Sequence, residues 1–199
     1  MSELHQSASP IIRVCDKGDF DEILFIINEA AQAYRDVIPP DCWHEPYMGR
    51  DELSREIESG VCFLGCERDG KLHGVMGMQY VGDATLIRHA YVRATAQRAG
   101  VGALLLAEFV KAAKPPLLVG TWAAASWAIA FYRKHGFESV SPDQTASLLR
   151  RYWQISPRQI ETSVVLKWNE AHNIPNTEIS NIEISSAGIS TVENGADDS

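Results

Sequence analysis

Long apolar runs are missing from this sequence. No stretch reaches the ~18 uninterrupted apolar residues that a membrane-spanning helix requires, and residues 1–10 are too polar for a secretory signal peptide. These absences argue against an integral membrane protein and against an exported one. We therefore expect a cytoplasmic protein that has no membrane partner.

Cysteine is scarce, and the four cysteines do not form metal-binding pairs. Cys15, Cys42, Cys62 and Cys66 include no C-x-x-C spacing, which is the usual signature of a structural zinc site. Thiols of cytoplasmic proteins stay reduced. We interpret the four as core thiols and expect no disulfide and no metal; a metal or redox pair of Cys62 and Cys66 is the alternative.

An excess of basic residues is also missing. The net charge is −8, but residues 172–199 contain five acidic side chains and no lysine or arginine. The rest of the chain has 18 basic against 21 acidic residues, a net charge of −3. Because binding to nucleic acid normally requires a basic face, we expect no nucleic-acid partner.

The composition divides the chain into three parts. We predict an N-terminal extension at residues 1–10, one domain at residues 11–168 and an acidic, disordered tail at residues 169–199, which is rich in Ser, Asn, Gly and Glu. Alternating apolar residues at 177–184 are compatible instead with an additional edge strand.

The domain reads as an α/β fold with a mixed, mostly antiparallel sheet of about seven strands and flanking helices. Turn residues and alternation predict strands at 11–15, 61–67, 72–81, 85–93, 117–121, 137–140 and 160–167. Helical periodicity predicts helices at 19–34, 51–59, 101–113, 124–135 and 143–151. A strand, a helix and a second strand suggest that 85–93 and 117–121 form a parallel pair. We expect an exposed last strand, which could support a homodimer.

The most informative motif is a Q-x-x-G-x-G segment between a predicted strand and a predicted helix. We call residues 97–102, which read Gln-Arg-Ala-Gly-Val-Gly, the glycine turn. A helix that starts at such a turn leaves backbone N–H groups unpaired and aims the positive end of its dipole at an approaching phosphate. A plain strand-to-helix turn is the alternative.

A second motif follows at residues 128–137, which read Ala-Ile-Ala-Phe-Tyr-Arg-Lys-His-Gly-Phe. Lys134 and His135 suit the negative end of a helix dipole, and Gly136 suits the left-handed position just past the helix. In this order and spacing, the two motifs resemble those of the GCN5-related N-acetyltransferase (GNAT) family. The resemblance covers about residues 10–168. One departure is Ala125, where the family often has asparagine.

The resemblance implies acetyl-CoA as co-substrate, bound where the two central parallel strands splay apart. It assigns the pyrophosphate to the glycine turn, namely to the main chain of Arg98, Ala99, Gly100, Val101 and Gly102 and to the side chains of Gln97 and Arg98. It assigns the acetyl carbonyl to backbone N–H groups of Ala90, Tyr91 and Val92. The implied activity is transfer of an acetyl group to an amine of a small molecule or a protein, by direct attack on the thioester.

Two side chains are candidates for proton transfer. The resemblance places Tyr132 near the thioester sulfur, where its hydroxyl can protonate the leaving thiolate; a core tyrosine is the alternative. His89 interrupts an apolar strand, and histidine is the residue type most suited to act as a base near neutral pH, although a lone histidine is more often structural. Strand alternation puts Arg88 on the opposite face unless the strand carries a bulge. No Asp or Glu lies between residues 84 and 93, so a water chain that ends on a Glu or His elsewhere is the alternative base.

The resemblance places the loop 34–50 on the acceptor side, and the aromatic residues of this loop and of the segment 148–159 are the predicted acceptor contacts. Ordinary packing under long loops is the alternative. The segment 34–50 contains Trp43 and Tyr47, which we assign to acceptor binding together with His89. Tyr34, Tyr152 and Trp153 are further candidates, and Glu45 suits a cationic acceptor. We expect Trp122 and Trp127 to pack in the core or at the cofactor's edge. Because the strand carboxylate and the asparagine are missing, a non-catalytic acyl-CoA sensor or interaction module is the alternative function.

Overall fold

The computed structural model describes residues 9–170, which form a seven-stranded sheet. The strands are β1 (Ile11–Val14), β2 (Cys62–Arg68), β3 (Lys71–Val81), β4 (Ala84–Val92), β5 (Leu117–Trp122), β6 (Phe137–Ser139) and β7 (Ser163–Trp168). Their order across the sheet is β1-β2-β3-β4-β5-β7-β6, and only the β4–β5 pair is parallel. The predicted α/β class and the central parallel pair are confirmed.

Six α-helices flank the sheet within the described residues. They are α1 (Phe20–Ala31), α2 (Arg50–Glu58), α3 (Val101–Ala112), α4 (Ser126–Lys134), α5 (Pro142–Tyr152) and α6 (Pro157–Glu161). None of these helices is long and apolar enough to cross a membrane. The helix that follows the glycine turn, α3, begins where the sequence predicts it.

The end of the domain differs from the prediction. The expected strand at 160–167 starts instead at Ser163, because α6 occupies the residues before it. Pro157 takes the first position of α6, and Ser156 caps it by accepting a hydrogen bond from the Gln159 amide (3.2 Å). The last strand is also not exposed at an edge, because β7 lies between β5 and β6. The edge strands are β1 and β6.

The two faces of the sheet have separate hydrophobic cores. On β3, the neighbouring residues Val75 and Met76 point to opposite faces and belong to different buried clusters. The Met76 face is covered by α3, whose Leu105 and Phe109 are fully buried. The Val75 face is covered by α1 and α2, and it includes the fully buried Leu53. Packing on both faces of the sheet therefore holds β3, the neighbour of β4, in place.

The parallel pair β4–β5 is short. Only three residue pairs connect the two strands: Thr85 with Leu117, Leu86 with Leu118, and Ile87 with Val119. The remainder of β4, from Arg88 to Val92, keeps its partner β3 on one side but has no strand partner on the other among the described residues. This separation opens a gap in the middle of the sheet.

A β-bulge lies at the point where β4 leaves β5. Across the β3–β4 pair, Val75 opposes Tyr91 but Gly77 opposes Arg88, so β4 has one extra residue. His89 lies within this bulge and has a φ of 48°, in the left-handed region. Bulges of this kind redirect the side chains that would otherwise follow the normal alternation.

The domain limits agree with the described structure but are not tested by it. β1 starts at Ile11, and the Asn169 amide still donates to the Gly136 carbonyl (2.9 Å) after β7 ends. Residues 171–199, which contain most of the predicted acidic tail and the alternating segment 177–184, lie outside the described residues. Residues 1–8 of the predicted extension also lie outside them.

Gly77 provides a test of the packing around the bulge. A Cβ at this position would lie 2.9 Å from the Arg88 carbonyl oxygen and 2.9 Å from Val61 Cγ1, so we expect Gly77→Ala to lower the free energy of unfolding by about 1–3 kcal/mol. Gly120→Ala is the control, because its Cβ would meet only side-chain atoms at 3.4 Å. Denaturant unfolding measures both variants. Equal losses would contradict the close approach at Gly77.

Candidate active site

A cavity of about 680 Å³ occupies the gap between β4 and β5. Its wall includes the unpaired part of β4, the end of β5, the first turn of α3, and side chains from α2 and α4. The cavity therefore brings the two sequence motifs, which lie on α3 and α4, to one site.

The glycine turn leaves several backbone amides available. Gly100 has a φ of 82° and precedes the first residue of α3. Within residues 9–170, no backbone hydrogen-bond acceptor is found for the amides of Arg98, Gly100, Val101 and Gly102. The Ala99 amide instead makes a long turn bond of 3.4 Å to the Ala96 carbonyl. Four of the five predicted amides thus present free N–H groups at a helix N-terminus.

The space next to the Gly100 Cα in the glycine turn is open. A Cβ at Gly100 would meet no other atom within 4 Å, so its glycine is required by the backbone conformation rather than by crowding. Gln97 and Gly102 of the glycine turn line the cavity, whereas Arg98, Ala99, Gly100 and Val101 do not; the first three of these are exposed. Val101 anchors the turn, because its side chain is buried in the core.

The β4 backbone presents an amide to the gap. The Arg93 amide donates to the His73 carbonyl on the β3 side (2.9 Å). Because successive backbone amides of a strand face opposite sides, the Val92 amide faces the gap. Ala90, Tyr91 and Val92 all line the cavity. Of these predicted donors, Val92 has the orientation that a carbonyl acceptor in the gap requires.

Tyr132 reaches the cavity from α4. Its side chain is 5% exposed and packs edge-on against Phe131 and Phe137, with ring centroids 5.2 and 5.3 Å apart. Burial, with a smaller contribution from Tyr34, raises the pKa of Tyr132, which further disfavours the phenolate. Gly136, with a φ of 84°, ends α4 as predicted.

His89 and Arg88 do not lie on opposite faces, because β4 carries a bulge here, which is the exception to alternation that the sequence analysis allows. His89 Nε2 lies 2.5 Å from Glu56 Oε2, and Arg88 donates from one guanidinium nitrogen to Glu56 Oε1 at 2.9 Å. The physical reason is the bulge, which turns both side chains to the same carboxylate. All three side chains line the cavity.

Glu56 is the site residue that the sequence does not reveal. It lies on α2, and its side chain is only 20% exposed. Burial alone would raise the pKa of its carboxyl, but the hydrogen bonds and charges of His89 and Arg88 lower that pKa below its ordinary value. Its position in the sequence carries no signal, because it looks like an ordinary charged residue on an amphipathic helix.

Aromatic rings form one wall of the cavity, which we call the aromatic wall: Tyr34, Tyr47, Tyr91 and Trp127. Tyr34 is central, with ring-centroid distances of 6.2 Å to Tyr47, 6.4 Å to Tyr91 and 5.4 Å to Trp127. Trp43 packs behind Tyr47, at 5.4 Å, and is not part of the wall. The predicted acceptor residues Tyr47 and His89 therefore share one cavity, whereas Trp43 supports it from outside.

Of the other predicted acceptor residues, some line the cavity and others lie outside it. Tyr152 packs away from the cavity and donates its hydroxyl to Asp83 (2.6 Å), although its neighbour Trp153 does line the cavity. Glu45 forms a 3.4 Å ion pair with Arg35 and is not in the wall. Trp127 is predicted to lie in the core or at the cofactor's edge. It is 44% exposed and lines the cavity, so it does not belong to the core.

The charges in the cavity wall are predominantly negative. Among the described residues, the wall contains the carboxylates of Asp41, Glu52 and Glu56 and a single arginine, Arg88. Arg88 is already paired with Glu56, and Asp41 is paired at 3.1 Å with Arg158, which lies outside the wall. Glu52 accepts a hydrogen bond from the Gly49 amide at 3.3 Å, and no cationic partner for it is found within the described chain. The cavity therefore favours a neutral or positively charged ligand beside the aromatic wall.

Of the four cysteines, Cys42 lies in the cavity wall and the other three lie outside it, as does Ala125. Cys66 is fully buried, but Cys62 is exposed, so the interpretation of all four as core thiols is wrong. Burial raises the pKa of Cys15 to about 12. Ala125 is fully buried. Among residues 9–170, no three His, Cys, Asp or Glu side chains are grouped so as to hold a metal ion.

Comparisons with known proteins agree with this geometry. The family model of the acetyltransferase (GNAT) domain matches residues 27–150. No curated protein sequence matches the chain.

Many solved structures share the fold. PaiA N-acetyltransferase from Thermoplasma acidophilum, in complex with coenzyme A, is 17% identical, with a TM-score of 0.62 over 81% of this chain and 99% of that one. Ribosomal-protein-S18-alanine N-acetyltransferase from Escherichia coli is 16% identical, with a TM-score of 0.57 over 80% and 93%. Ribosomal-protein-alanine N-acetyltransferase from Brucella melitensis is 25% identical, with a TM-score of 0.53 over 66% and 86%.

Proposed function

The chain belongs to the GNAT acetyltransferase family and is an acetyl-CoA-dependent N-acetyltransferase, and we propose that it acetylates a neutral or cationic amine in the cavity between β4 and β5. The observation that carries this proposal is the gap itself. It lies beside the free amides of the α3 N-terminus on one side and beside the aromatic wall on the other. Cofactor and acceptor would thus meet at the bulge of β4.

The residues around the gap fit acetyl-CoA. The amides of Arg98, Gly100, Val101 and Gly102 would hold the pyrophosphate, since free N–H groups at a helix N-terminus bind such anions. The Val92 amide would donate to the thioester carbonyl. When bound, acetyl-CoA supplies an activated acetyl group, which we propose the amine attacks directly.

Two side chains would handle the protons. His89 lies in the cavity wall and would accept the proton that the ammonium group of the acceptor must lose before it can attack. Tyr132 would donate its hydroxyl proton to the departing thiolate, since a tyrosine phenol is protonated at neutral pH and can act as a hydrogen-bond donor. The two groups line the same cavity, as a single displacement requires.

The cavity supports an acceptor without a carboxylate. The unpaired Glu52 would repel a second negative charge and would attract a second positive one. The aromatic wall offers ring faces to the apolar or cationic part of the acceptor. We therefore propose a small-molecule amine or a lysine-like protein amine rather than an amino acid whose own carboxylate must be bound.

Other properties stay predictions from the sequence. These are the cytoplasmic location, the absence of nucleic-acid and membrane partners, and the homodimer. If a dimer forms through a sheet edge, the edge strands β1 and β6 would be the ones to pair, since β7 is internal.

Gly100→Ala tests the glycine turn. We expect the dissociation constant for coenzyme A to rise by at least about tenfold, because a Cβ at positive φ distorts the turn that presents the amides. Gly70→Ala is the matched control, since Gly70 also has a positive φ and open space but lies in the β2–β3 hairpin. Calorimetry measures both variants. Unchanged binding in a folded Gly100→Ala protein would contradict the assignment.

Tyr132→Phe tests the protonation of the leaving group. We expect kcat to fall by about 10²-fold, because the thiolate loses its proton donor. The dissociation constant for acetyl-CoA should change less than about threefold, since the ring and its packing stay. Thiol release measures kcat. An unchanged kcat would leave Tyr132 as a core residue only.

A panel of acceptors with one carbon skeleton tests the charge preference. Diaminobutane, butylamine and aminobutyrate differ only in the terminal group, and we expect kcat/KM to fall in that order, by about tenfold from first to last. Glu52→Gln should reduce the preference for diaminobutane over butylamine and leave butylamine unchanged. A better rate with aminobutyrate would contradict the proposed acceptor class. Tight coenzyme A binding without turnover of any amine would instead favour a sensor.

A further inference from the structure

One carboxylate joins two neighbouring side chains of β4 at the centre of the cavity. Glu56 binds Arg88 with Oε1 and His89 with Oε2, at 2.9 and 2.5 Å. The exposed side-chain fractions of the three residues are only 14–20%. Strand alternation alone would separate Arg88 from His89, so the bulge is what creates this arrangement.

We propose that Glu56 is a positioning residue for His89, which holds the histidine Nε2–H and leaves Nδ1 as the nitrogen that accepts the proton of the acceptor amine. This inference rests on the proposed function and assigns a role to a residue of α2 that neither motif contains. An ionised carboxylate can only accept hydrogen bonds. The contact at 2.5 Å therefore requires a proton on Nε2 and fixes the tautomer of the ring.

Arg88 stabilises the His89 tautomer that carries its proton on Nε2, because it keeps Glu56 ionised. Its guanidinium donates to Glu56 and also to Gln79 Oε1 (2.6 Å). Gln79 in turn donates to the Ser59 carbonyl and hydroxyl, both at 3.2 Å. Since the arginine stays charged at all relevant pH values, it keeps Glu56 ionised, in agreement with the lowered pKa of that carboxyl.

In the proposed step, one proton moves from the acceptor ammonium to His89. One N–H bond of the acceptor ammonium breaks, its electron pair stays on the amine nitrogen, and the proton forms a bond to His89 Nδ1. The resulting imidazolium keeps its Nε2–H on Glu56, and the negative charge of the carboxylate stabilises the new positive charge. Glu56 does not need to take the proton, because both of its oxygens already accept hydrogen bonds.

Other ionisable groups lie around the same cavity. Those in its wall are Tyr34 after α1; Asp41, Cys42, His44 and Tyr47 in the following loop; Glu52 and Glu56 on α2; Arg88 and Tyr91 on β4; and Tyr132 on α4. Only Glu56 is hydrogen-bonded to the His89 ring within the described residues. The aromatic ring that stacks on His89 is Phe63, which carries no charge.

Glu56→Gln separates positioning from simple packing. Arg88 can only donate, so it will hold the amide oxygen of the introduced glutamine and turn the NH₂ group to His89 Nε2. That nitrogen must then accept, the proton moves to Nδ1, and the base is lost without loss of volume. We expect kcat to fall about 10²-fold or more, with the KM for acetyl-CoA unchanged. Glu58→Gln, an exposed position on the same helix, is the control.

The tautomer itself is measured without turnover. We expect ¹⁵N NMR of labelled protein to show a proton on His89 Nε2 in the wild type and on Nδ1 in Glu56→Gln. A wild-type tautomer that persists in the folded variant would overturn the proposal. The tautomer measurement tests the role of Glu56 even if no amine is acetylated. A failure to acetylate any amine would count against the proposed function and not against the role of Glu56.

A double-mutant cycle tests whether Glu56 acts through His89. We expect His89→Gln to remove the acidic limb of the pH profile and expect the double variant to be no slower than His89→Gln alone. A further loss in the double variant would show that Glu56 acts independently, as a base reached through water, and would overturn the proposal. An unchanged kcat in His89→Gln would overturn it as well, while the acetyltransferase assignment would stand.

Discussion

The short pairing of β4 with β5 is the constraint on which the rest of the structure depends. Three residue pairs hold the two parallel strands together, and beyond Ile87 the strands separate. The separation leaves β4 backbone groups without strand partners in the described chain and opens the cavity to which α2, α3 and α4 contribute. Buried backbone groups need partners, so a gap of this kind suits a ligand that has its own carbonyl and amide groups.

The bulge on β4 gives the gap its chemistry. An extra residue opposite Met76 turns His89 into the left-handed region and brings it, with Arg88, to Glu56. In a regular strand only one of the two side chains would face α2. A local irregularity of the backbone thus assembles a charged network that neither the strand nor the helix contains alone.

The parts of this site that the sequence predicts are the local ones. The glycine turn and Gly136 can be identified because helix ends depend on the conformation of one or two residues. Glu56 escapes prediction because its contact to His89 spans 33 residues and depends on a bulge that alternation does not foresee. The predicted last strand begins three residues too early, because Ile160 lies just before the apolar run at 164–166, whereas Pro157 and the Ser156 cap start a helix there.

The central claim is that the gap and the glycine turn together hold acetyl-CoA. Backbone ¹⁵N NMR during a titration with acetyl-CoA tests it most directly. We predict large amide shifts for Gly100, Gly102 and Val92, and no shift for Gly70 in the distant hairpin. Saturation with acetyl-CoA that leaves Gly100, Gly102 and Val92 unmoved would contradict the account.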